Sequence, residues 1–282
     1  MNKEKFMEYV FLLAACVSIG AVVMICLFLF GSGLPTILKI GAQEFFLGET
    51  WQPNNEVFGI LPMVLGSLYV TIGALVIGVP IGVLTAIYLA KFCPKEIYKV
   101  LKTSIELLAG IPSVVYGFFG LVVLVPIVRE YLGGTGSSLL TAAILLGLMI
   151  LPTIISVSEA ALKAVPDSYY EGALALGIGQ VRSVFGTVVP AAKSGIMAAI
   201  ILGVGRAVGE TMAVIMVAGN QARMPKGILE GVRTLTTNIV IEMGYAADLH
   251  RDALIATAVI LFIFILIINA SFAYLKGKVV EG

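Results

Sequence analysis

The sequence predicts an all-α integral membrane protein with six transmembrane helices in a single domain over residues 1–282. Hydrophobic residues make up 59% of the chain and charged residues only 12%, and the mean hydropathy is +1.05. Soluble domains carry about 25% charged residues, so this chain cannot cover a water-facing surface and is solvated largely by the lipid bilayer. The charged residues are also spaced so that six long apolar runs remain between them.

Each apolar run is long enough to cross a membrane, because a hydrocarbon layer of ~30 Å requires about 20 helical residues. Lipid offers no hydrogen-bond partners to the backbone, so these runs are expected to be helices. The second run is long enough to tilt or to kink at Pro80. The predicted spans are approximately residues 9–30, 61–90, 106–127, 138–158, 193–218 and 253–275.

The Lys and Arg residues that flank the spans predict the orientation, because cytoplasmic loops of membrane proteins are enriched in them. A cytoplasmic N-terminus places more of the 18 Lys and Arg residues inside than outside, although the last external loop is rather basic. We therefore expect both termini in the cytoplasm, residues 159–192 on the cytoplasmic side and residues 220–252 on the external side.

Two residues between the spans have simple interpretations. Trp51, the single tryptophan, is predicted to anchor the membrane interface. His250, the single histidine, stands beside Arg251 and Asp252 and is predicted to be a solvated loop residue, since a metal site normally needs several ligands. The formal net charge of +1 gives no indication of an acidic partner such as nucleic acid, and we expect neither a metal nor a cofactor.

The segment YYEGALALGIGQVRSVFGTVVP, between the fourth and fifth spans, is too long and too patterned for a simple connection. Ser168 followed by Glu171 fits a capping box, which predicts the start of a helix. Gly177 fits a helix stop, and residues 178–188 can form a second short helix. Pro190 is predicted to open the fifth span as its first helical residue. The cytoplasmic loop is therefore expected to form a helix, a glycine turn and a second helix.

Arg206 and Glu210 lie near the middle of the fifth span, where a charge costs roughly 2.5–3.5 kcal/mol on insertion scales. Four residues apart in a helix, they are predicted to share one face. In a structural interpretation they form an internal ion pair, with Gly205 and Gly209 allowing close helix packing. In a functional interpretation, which we favour, the Arg206 guanidinium binds an anionic substrate bidentately and Glu210 orients it.

The loop between the fourth and fifth spans resembles the EAA loop of ABC-transporter permeases, which has the form E-A-A, three residues, G, nine residues, I-x-L-P. Glu171, Gly172, Ala173, Gly177 and Pro190 occupy the corresponding positions. Gly172 replaces the first alanine, and a threonine takes the usual isoleucine position. The resemblance implies that these five residues belong to short coupling helices that dock on a cytoplasmic ATPase subunit.

Three further stretches resemble the C-type subunits of the phosphate-specific ABC permeases. They are GVGRAVGETMAV at 203–214, ELLAGIPSVVYGFFG at 106–120 and LPTIISVSEAALKAVP at 151–166. The resemblance implies a type I importer permease in the bacterial inner membrane, with Arg206 and Glu210 implicated in phosphate transport. It also implies a heterodimer with a second permease subunit, two ATP-binding subunits and an extracytoplasmic phosphate-binding protein.

Other functions fit the residues less well. The chain has no P-loop, because the nearest stretch, at 187–194, lacks both glycines, so the chain is expected to be a transport subunit without enzymatic activity. A permease for sulfate, molybdate or tungstate remains an alternative, since an Arg–Glu pair does not select phosphate. An enzyme acting on lipid phosphates would need clustered Asp, His or Lys side chains. A channel or carrier acting alone would have no use for a docking helix.

Several other residues are weaker candidates. Pro112 either exposes backbone amides toward an anion or only kinks a span. Glu106 is expected to form a surface pair with Lys102, and Glu159 is a candidate contact for the ATPase. The basic residues of the external segment are candidate contacts for the binding protein; they are Arg223, Lys226 and Arg233.

Overall fold

The computed structural model describes residues 3–280, with side chains for Glu4–Ser271 and Tyr274. The two residues at each end, and the side chains of Lys3, Lys276 and Lys278 used in the charge count, lie outside this description. The regular secondary structure of the described chain is helical apart from one two-stranded hairpin and an isolated bridge between Gly219 and Val232, which lies in the irregular segment between α12 and α13. The helices are α1 Lys3–Ile40, α2 Ala42–Leu47, α3 Leu61–Ile87, α4 Lys95–Gly110, α5 Ser113–Phe119, α6 Val125–Leu132, α7 Leu139–Lys163, α8 Asp167–Ala175, α9 Gln180–Ser183, α10 Val189–Ala191, α11 Lys193–Gly209, α12 Met212–Val217, α13 Leu235–Met243 and α14 Asp248–Val280, and the strands are β1 Trp51–Gln52 and β2 Val57–Phe58.

Wider helical turns extend or join several of these helices. They are the π-helical turns Tyr88–Phe92 after α3, Gly120–Leu124 between α5 and α6, and Val184–Val188 between α9 and α10. A tighter 3₁₀ turn, Pro53–Asn55, joins the two strands. Among the described residues, five helical segments are long and apolar enough to cross a membrane. A sixth candidate is the pair Gln180–Ala191 and Lys193–Gly209, whose axes are bent by 71°.

The long helices α3 and α7 form the centre of the bundle. Gly78 of α3 sits where a Cβ atom would come within 2.8 Å of the Ile150 side chain and 2.9 Å of the Gly147 carbonyl oxygen. The missing side chain therefore allows the two backbones to pack closely. The start of α3 lies against Arg233, and the start of α7 is bonded to the end of α12, because Ser138 N–H donates to the Val217 carbonyl at 3.0 Å.

The parallel course of α3 and α7 gives the bundle two ends. At the starts of these helices lie the β1–β2 hairpin, α13 and the beginning of α14, and we call this the hairpin end. At their other ends lie α4 and the segment α8–α10, and we call this the loop end. Side chains of α3, α4, α7 and α11 pack together at the loop end; they include Ile87, Ile105, Leu162 and Ile196.

The first helix is longer than predicted. It continues past Phe30 and through Pro35 to Ile40, so residues 31–40 are helical rather than part of a connecting segment. The physical reason is packing against α14, where a Cβ atom on Gly33 would lie 2.6 Å from the Val259 side chain. Tertiary contact thus extends a helix whose apolar run ends earlier.

The third predicted span, 106–127, is wrong at its start. Residues 106–110 belong to α4, and the membrane-spanning candidate begins at Ser113 and ends at Leu132. Ile111 is extended, with φ −69° and ψ 127°. Pro112 causes this break, because proline lacks an N–H group and disfavours helical backbone in the residue before it.

The fifth predicted span, 193–218, is also divided. Helix α11 ends at Gly209, Glu210 is extended with ψ 129°, and α12 begins at Met212. Pro190 does not open this span, as the sequence predicts; it lies in α10, before the bend at Ala192, and α11 begins at Lys193. The two breaks, at Ile111–Pro112 and Glu210–Thr211, adjoin each other because α5 packs against α12.

Candidate functional site

Arg206 is half-buried on α11, and its guanidinium faces α7. Its Nη1 lies 3.5 Å from the Thr153 hydroxyl, which is a long hydrogen bond. Among the described side chains, no carboxylate lies within 4.0 Å of this guanidinium. Most of its donors are therefore available to a ligand.

The ion pair of the structural interpretation is not formed in this structure, and Glu210 does not contact the Arg206 guanidinium to orient it, as the favoured interpretation expects. Two residues four apart share one face only in an unbroken helix, and Glu210 lies one residue beyond the end of α11. Its Oε1 instead accepts a hydrogen bond from Ala213 N–H at 3.1 Å, so the carboxylate caps the start of α12. The Glu210 carbonyl accepts from the Thr236 hydroxyl at 3.2 Å, which ties the break to α13.

The second helix break lies close to this site. The Tyr116 hydroxyl on α5 donates to the Leu108 carbonyl on α4 at 2.9 Å, so one hydrogen bond spans the Ile111–Pro112 break. Gly117, the next residue, sits where a Cβ atom would lie 3.0 Å from Ala213 Cα. Pro112 thus separates two helices instead of kinking one. Its role toward an anion stays a prediction.

The residues of the EAA-like pattern lie together at the loop end. Glu171, Gly172 and Gly177 are exposed, as is Pro190, whereas Ala173 is 7% exposed and anchors α8. Gly177 has φ +79° and ends the helical segment, as predicted. The outward residues form a surface that a partner can reach.

The helix predicted around Glu171 is present, but the predicted capping box is wrong. Helix α8 begins at Asp167 with Pro166 as its N-cap, and no side-chain capping bond is made. Proline fixes φ near −65° and so positions the following residues to enter a helix earlier. Ser168 consequently lies inside the first turn. The second short helix predicted over 178–188 begins at Gln180.

Glu159 is buried, so the predicted contact with an ATPase is wrong for this conformation. Its exposed fraction is 2%, and its carboxylate accepts hydrogen bonds from Tyr98 Oη at 2.7 Å, Lys102 Nζ at 2.9 Å and Lys163 Nζ at 2.7 Å. We call these four residues the Glu159 cluster. The predicted surface pair of Glu106 with Lys102 is present, at 4.0 Å.

A second buried carboxylate, Glu242 on α13, organises the hairpin end. It accepts hydrogen bonds from Arg233 Nη1 at 2.6 Å and Trp51 Nε1 at 2.7 Å, and His250 Nε2 lies 2.8 Å away. We call Glu242, Arg233, Trp51 and His250 the Glu242 cluster. Among the described residues, no group of three or more His, Cys, Asp or Glu side chains is placed to hold a metal ion.

The Glu242 cluster corrects three sequence predictions. Trp51 is 6% exposed in the core and is not an interface anchor, and His250 belongs to the first turn of α14 and packs against Phe58. Arg233 is bonded within the chain and is not free to meet a binding protein, whereas Arg223 and Lys226 are exposed. The sequence does contain one indication of this cluster, which is the single acid in the apolar stretch NIVIEM. A carboxylate that is buried with its apolar neighbours needs hydrogen-bond partners.

Comparison with known proteins places this geometry in a family. A family model described as "Binding-protein-dependent transport system inner membrane component" matches residues 78–281. The chain is 41% identical over 266 residues to the probable ABC transporter permease protein YqgH of Bacillus subtilis, covering 90% of this chain and 86% of that protein. It is 34% identical over 257 residues to the phosphate transport system permease protein PstC of Mesorhizobium japonicum, covering 84% and 79%.

The fold also matches a solved structure. A bacterial ABC transporter involved in the import of the acidic polysaccharide alginate aligns with a TM-score of 0.64 at 14% identity, over 97% of this chain and 98% of its own. The all-α importer-permease fold expected from the motifs is therefore confirmed. The resemblance to the ABC permeases is confirmed as well.

Proposed function

Since the chain belongs to the family of binding-protein-dependent transport system inner membrane components, we propose that it is the permease subunit of an ATP-driven importer of inorganic phosphate. It is a multi-pass inner membrane protein. The observation that carries the choice of an anion is Arg206, a half-buried guanidinium in a divided membrane helix with no carboxylate partner among the described side chains. A guanidinium fork in a low-dielectric setting binds phosphate-like oxygens bidentately.

The choice of phosphate is supported by relatives that are named for its transport, together with the stretches that surround Arg206. In the proposed mechanism the anion replaces the long Thr153 contact of Arg206. Glu210 caps α12 and leaves the Arg206 guanidinium unpaired. We therefore expect Glu210 to stabilise the helix break at Glu210–Thr211, next to the path of the anion. Release requires that the anion be held by few groups, which the sparse polar surroundings of Arg206 provide.

The permease is proposed to work as a heterodimer with a second permease subunit, two ATP-binding subunits and an extracytoplasmic phosphate-binding protein. Both termini and the loop end then face the cytoplasm. The exposed surface formed by Glu171, Gly172, Gly177 and Pro190, anchored by Ala173, is proposed to dock on an ATP-binding subunit. Closure of the ATPase dimer moves this surface, and the spans reorient around Arg206 by alternating access.

Uptake of labelled phosphate tests the substrate, in cells whose only high-affinity system contains this chain. We expect energy-dependent uptake that excess sulfate, molybdate and tungstate do not reduce. Arg206→Gln should lower uptake at least about 30-fold, because a charge-assisted hydrogen bond contributes about 2 kcal/mol or more. The matched control is Arg129→Gln, which removes an exposed guanidinium from α6.

The outcomes separate the alternatives. Normal phosphate uptake by assembled Arg206→Gln complexes would return Arg206 to a packing role. Uptake blocked by sulfate, molybdate or tungstate would keep the permease class and change the substrate to another oxyanion. For the docking surface, Glu171→Lys should abolish copurification with the ATP-binding subunit, whereas Glu96→Lys, which alters an exposed acid on α4, should not.

A further inference from the structure

The Glu159 cluster joins α4 and α7, two helices that are not consecutive in the chain. Glu159 and Lys163 lie on α7, and Tyr98 and Lys102 lie on α4. The carboxylate has three donors within 2.9 Å, and its exposed fraction is 2%. Moving α4 relative to α7 would separate the buried carboxylate from its donors on α4, and an uncompensated buried charge is costly. The cluster therefore holds α4 and α7 in one relative position.

Helix α4 packs on its neighbours through few apolar side chains. Ile105 is its one buried side chain, Tyr98 and Leu101 are partly buried, and most of its other residues are exposed. A helix with one buried anchor can slide or rotate on its neighbours, because apolar contacts are not directional. The directional bonds of the Glu159 cluster therefore decide how α4 is placed.

One end of this connection leads to the proposed docking surface. Lys163 is the last residue of α7, and α8 begins four residues later at Asp167. The Asp167 carboxylate also lies 3.4 Å from Lys91 Nζ, at the end of the extension of α3. Helix α8 is therefore joined to the part of α7 that carries Glu159 by a connection of only three residues, 164–166, and to the extension of α3 by one ion pair.

The other end leads to the anion path. Helix α4 ends at Gly110, next to the Ile111–Pro112 break, and its Leu108 carbonyl accepts the Tyr116 hydroxyl of α5 at 2.9 Å. Helix α5 packs on α12, whose first turn is capped by Glu210. Helix α4 therefore connects the loop end with both helix breaks.

We propose that Glu159 is a positioning residue that couples movement of α8 to the helix breaks beside Arg206, with α4 as the connecting element. This inference rests on the proposed function, because it needs an ATP-driven transport cycle. Its physical basis is a continuous series of bonded elements between two sites. Glu159 touches neither the anion nor the ATPase.

The ratio of phosphate transported to ATP hydrolysed tests this, in proteoliposomes that hold the complete complex and the binding protein. We expect Glu159→Gln to lower the ratio about fivefold or more, which is the low end of the range for coupling between sites. ATP hydrolysis and assembly should persist. The matched control is Glu106→Gln, since Glu106 has a side chain 63% exposed and lies 4.0 Å from the same Lys102.

A milder variant covers the case in which Glu159→Gln does not assemble. Tyr98→Phe keeps every charge and removes two hydrogen bonds, the one that Tyr98 Oη donates to Glu159 and the one that it accepts from Lys163 Nζ. We expect the ratio to fall about twofold. An unchanged ratio in assembled Glu159→Gln complexes, or in Tyr98→Phe complexes when the first variant does not assemble, would overturn the inference. Uptake and hydrolysis that fall together would also overturn it. A wild-type complex without ATP-driven phosphate uptake would refute the proposed function and, with it, this inference.

Discussion

The two ends of the bundle each contain one buried carboxylate with three close partners, but the partners differ in their separation along the chain and in their exposure. At the loop end, Glu159 meets side chains of α4 and α7, and the side chains of Lys102 and Lys163 are 25% and 45% exposed. At the hairpin end, Glu242 meets Arg233, His250 and, from 191 residues away, Trp51. The side chains of Arg233 and His250 there are only 15% and 14% exposed.

We expect the Glu242 cluster to serve folding and the Glu159 cluster to serve movement. The Glu242 cluster joins the β1–β2 hairpin, α13 and α14, and its side chains can regain less water than the lysines of the Glu159 cluster when a partner is lost. The Glu159 cluster joins helices whose apolar side chains already pack together, and its lysines reach solvent. Loss of Glu159 should therefore lower the ratio of phosphate transported to ATP hydrolysed while lowering the free energy of unfolding only modestly. Loss of Glu242 should mainly lower the free energy of unfolding.

The largest expected effect comes from Glu242→Gln. This change leaves the Arg233 guanidinium, whose side chain is only 15% exposed, without its counter-charge, so the free energy of unfolding should fall by about 3–5 kcal/mol. Denaturant unfolding in detergent, followed by fluorescence of the single tryptophan, Trp51, measures it. Glu230→Gln is the control, because Glu230 pairs with exposed Arg223 at 3.7 Å, and it should change stability by less than about 1 kcal/mol.

The next effect is that of Glu159→Gln on stability. We expect a loss of about 1–2 kcal/mol, because the two lysines that lose their counter-charge can be hydrated. The same unfolding measurement, run beside Glu242→Gln, makes the comparison direct. Equal losses for the two variants would remove the distinction between the two ends.

A smaller effect is expected from Trp51→Phe, which keeps an aromatic ring and removes the hydrogen bond to Glu242. The loss should be about 1 kcal/mol, as for one net hydrogen bond. Circular dichroism follows unfolding of this variant. In the double variant with Glu242→Gln, the loss should be smaller than the sum of the two single losses, because both changes act on the bond between Trp51 and Glu242. A loss equal to that sum would mean that Trp51 and Glu242 act independently.

The smallest effect is expected from Lys163→Gln, about 0.5 kcal/mol, because the Lys163 side chain is 45% exposed and the buried Glu159 carboxylate keeps its bonds to Tyr98 and Lys102. Arg233→Gln is the matched change at the hairpin end and should cost several times more. Thermal unfolding of the two variants side by side measures this ratio. Similar losses would show that side-chain exposure does not distinguish the two clusters.

Sequence reasoning succeeded where a local or compositional rule was sufficient. The apolar runs predict the membrane class and most helices, and Gly177 predicts the helix stop because an αL residue is needed there. It failed where two local rules compete. Pro166 starts α8 before Ser168 can cap it, and Pro112 and Glu210 end helices that hydropathy alone would continue.

Composition and the order of residues along the chain were enough to predict that lipid surrounds this protein, that it is helical and that its coupling loop has a fixed spacing. The pairing of its charges could not be predicted in this way, because it depends on how the helices pack. Arg206 and Glu210 are four residues apart and remain unbonded, whereas Trp51 and Glu242 are 191 residues apart and form a hydrogen bond at 2.7 Å. The reason is that a buried charge takes whichever donors the packed helices bring to it, and that choice depends on contacts between distant segments.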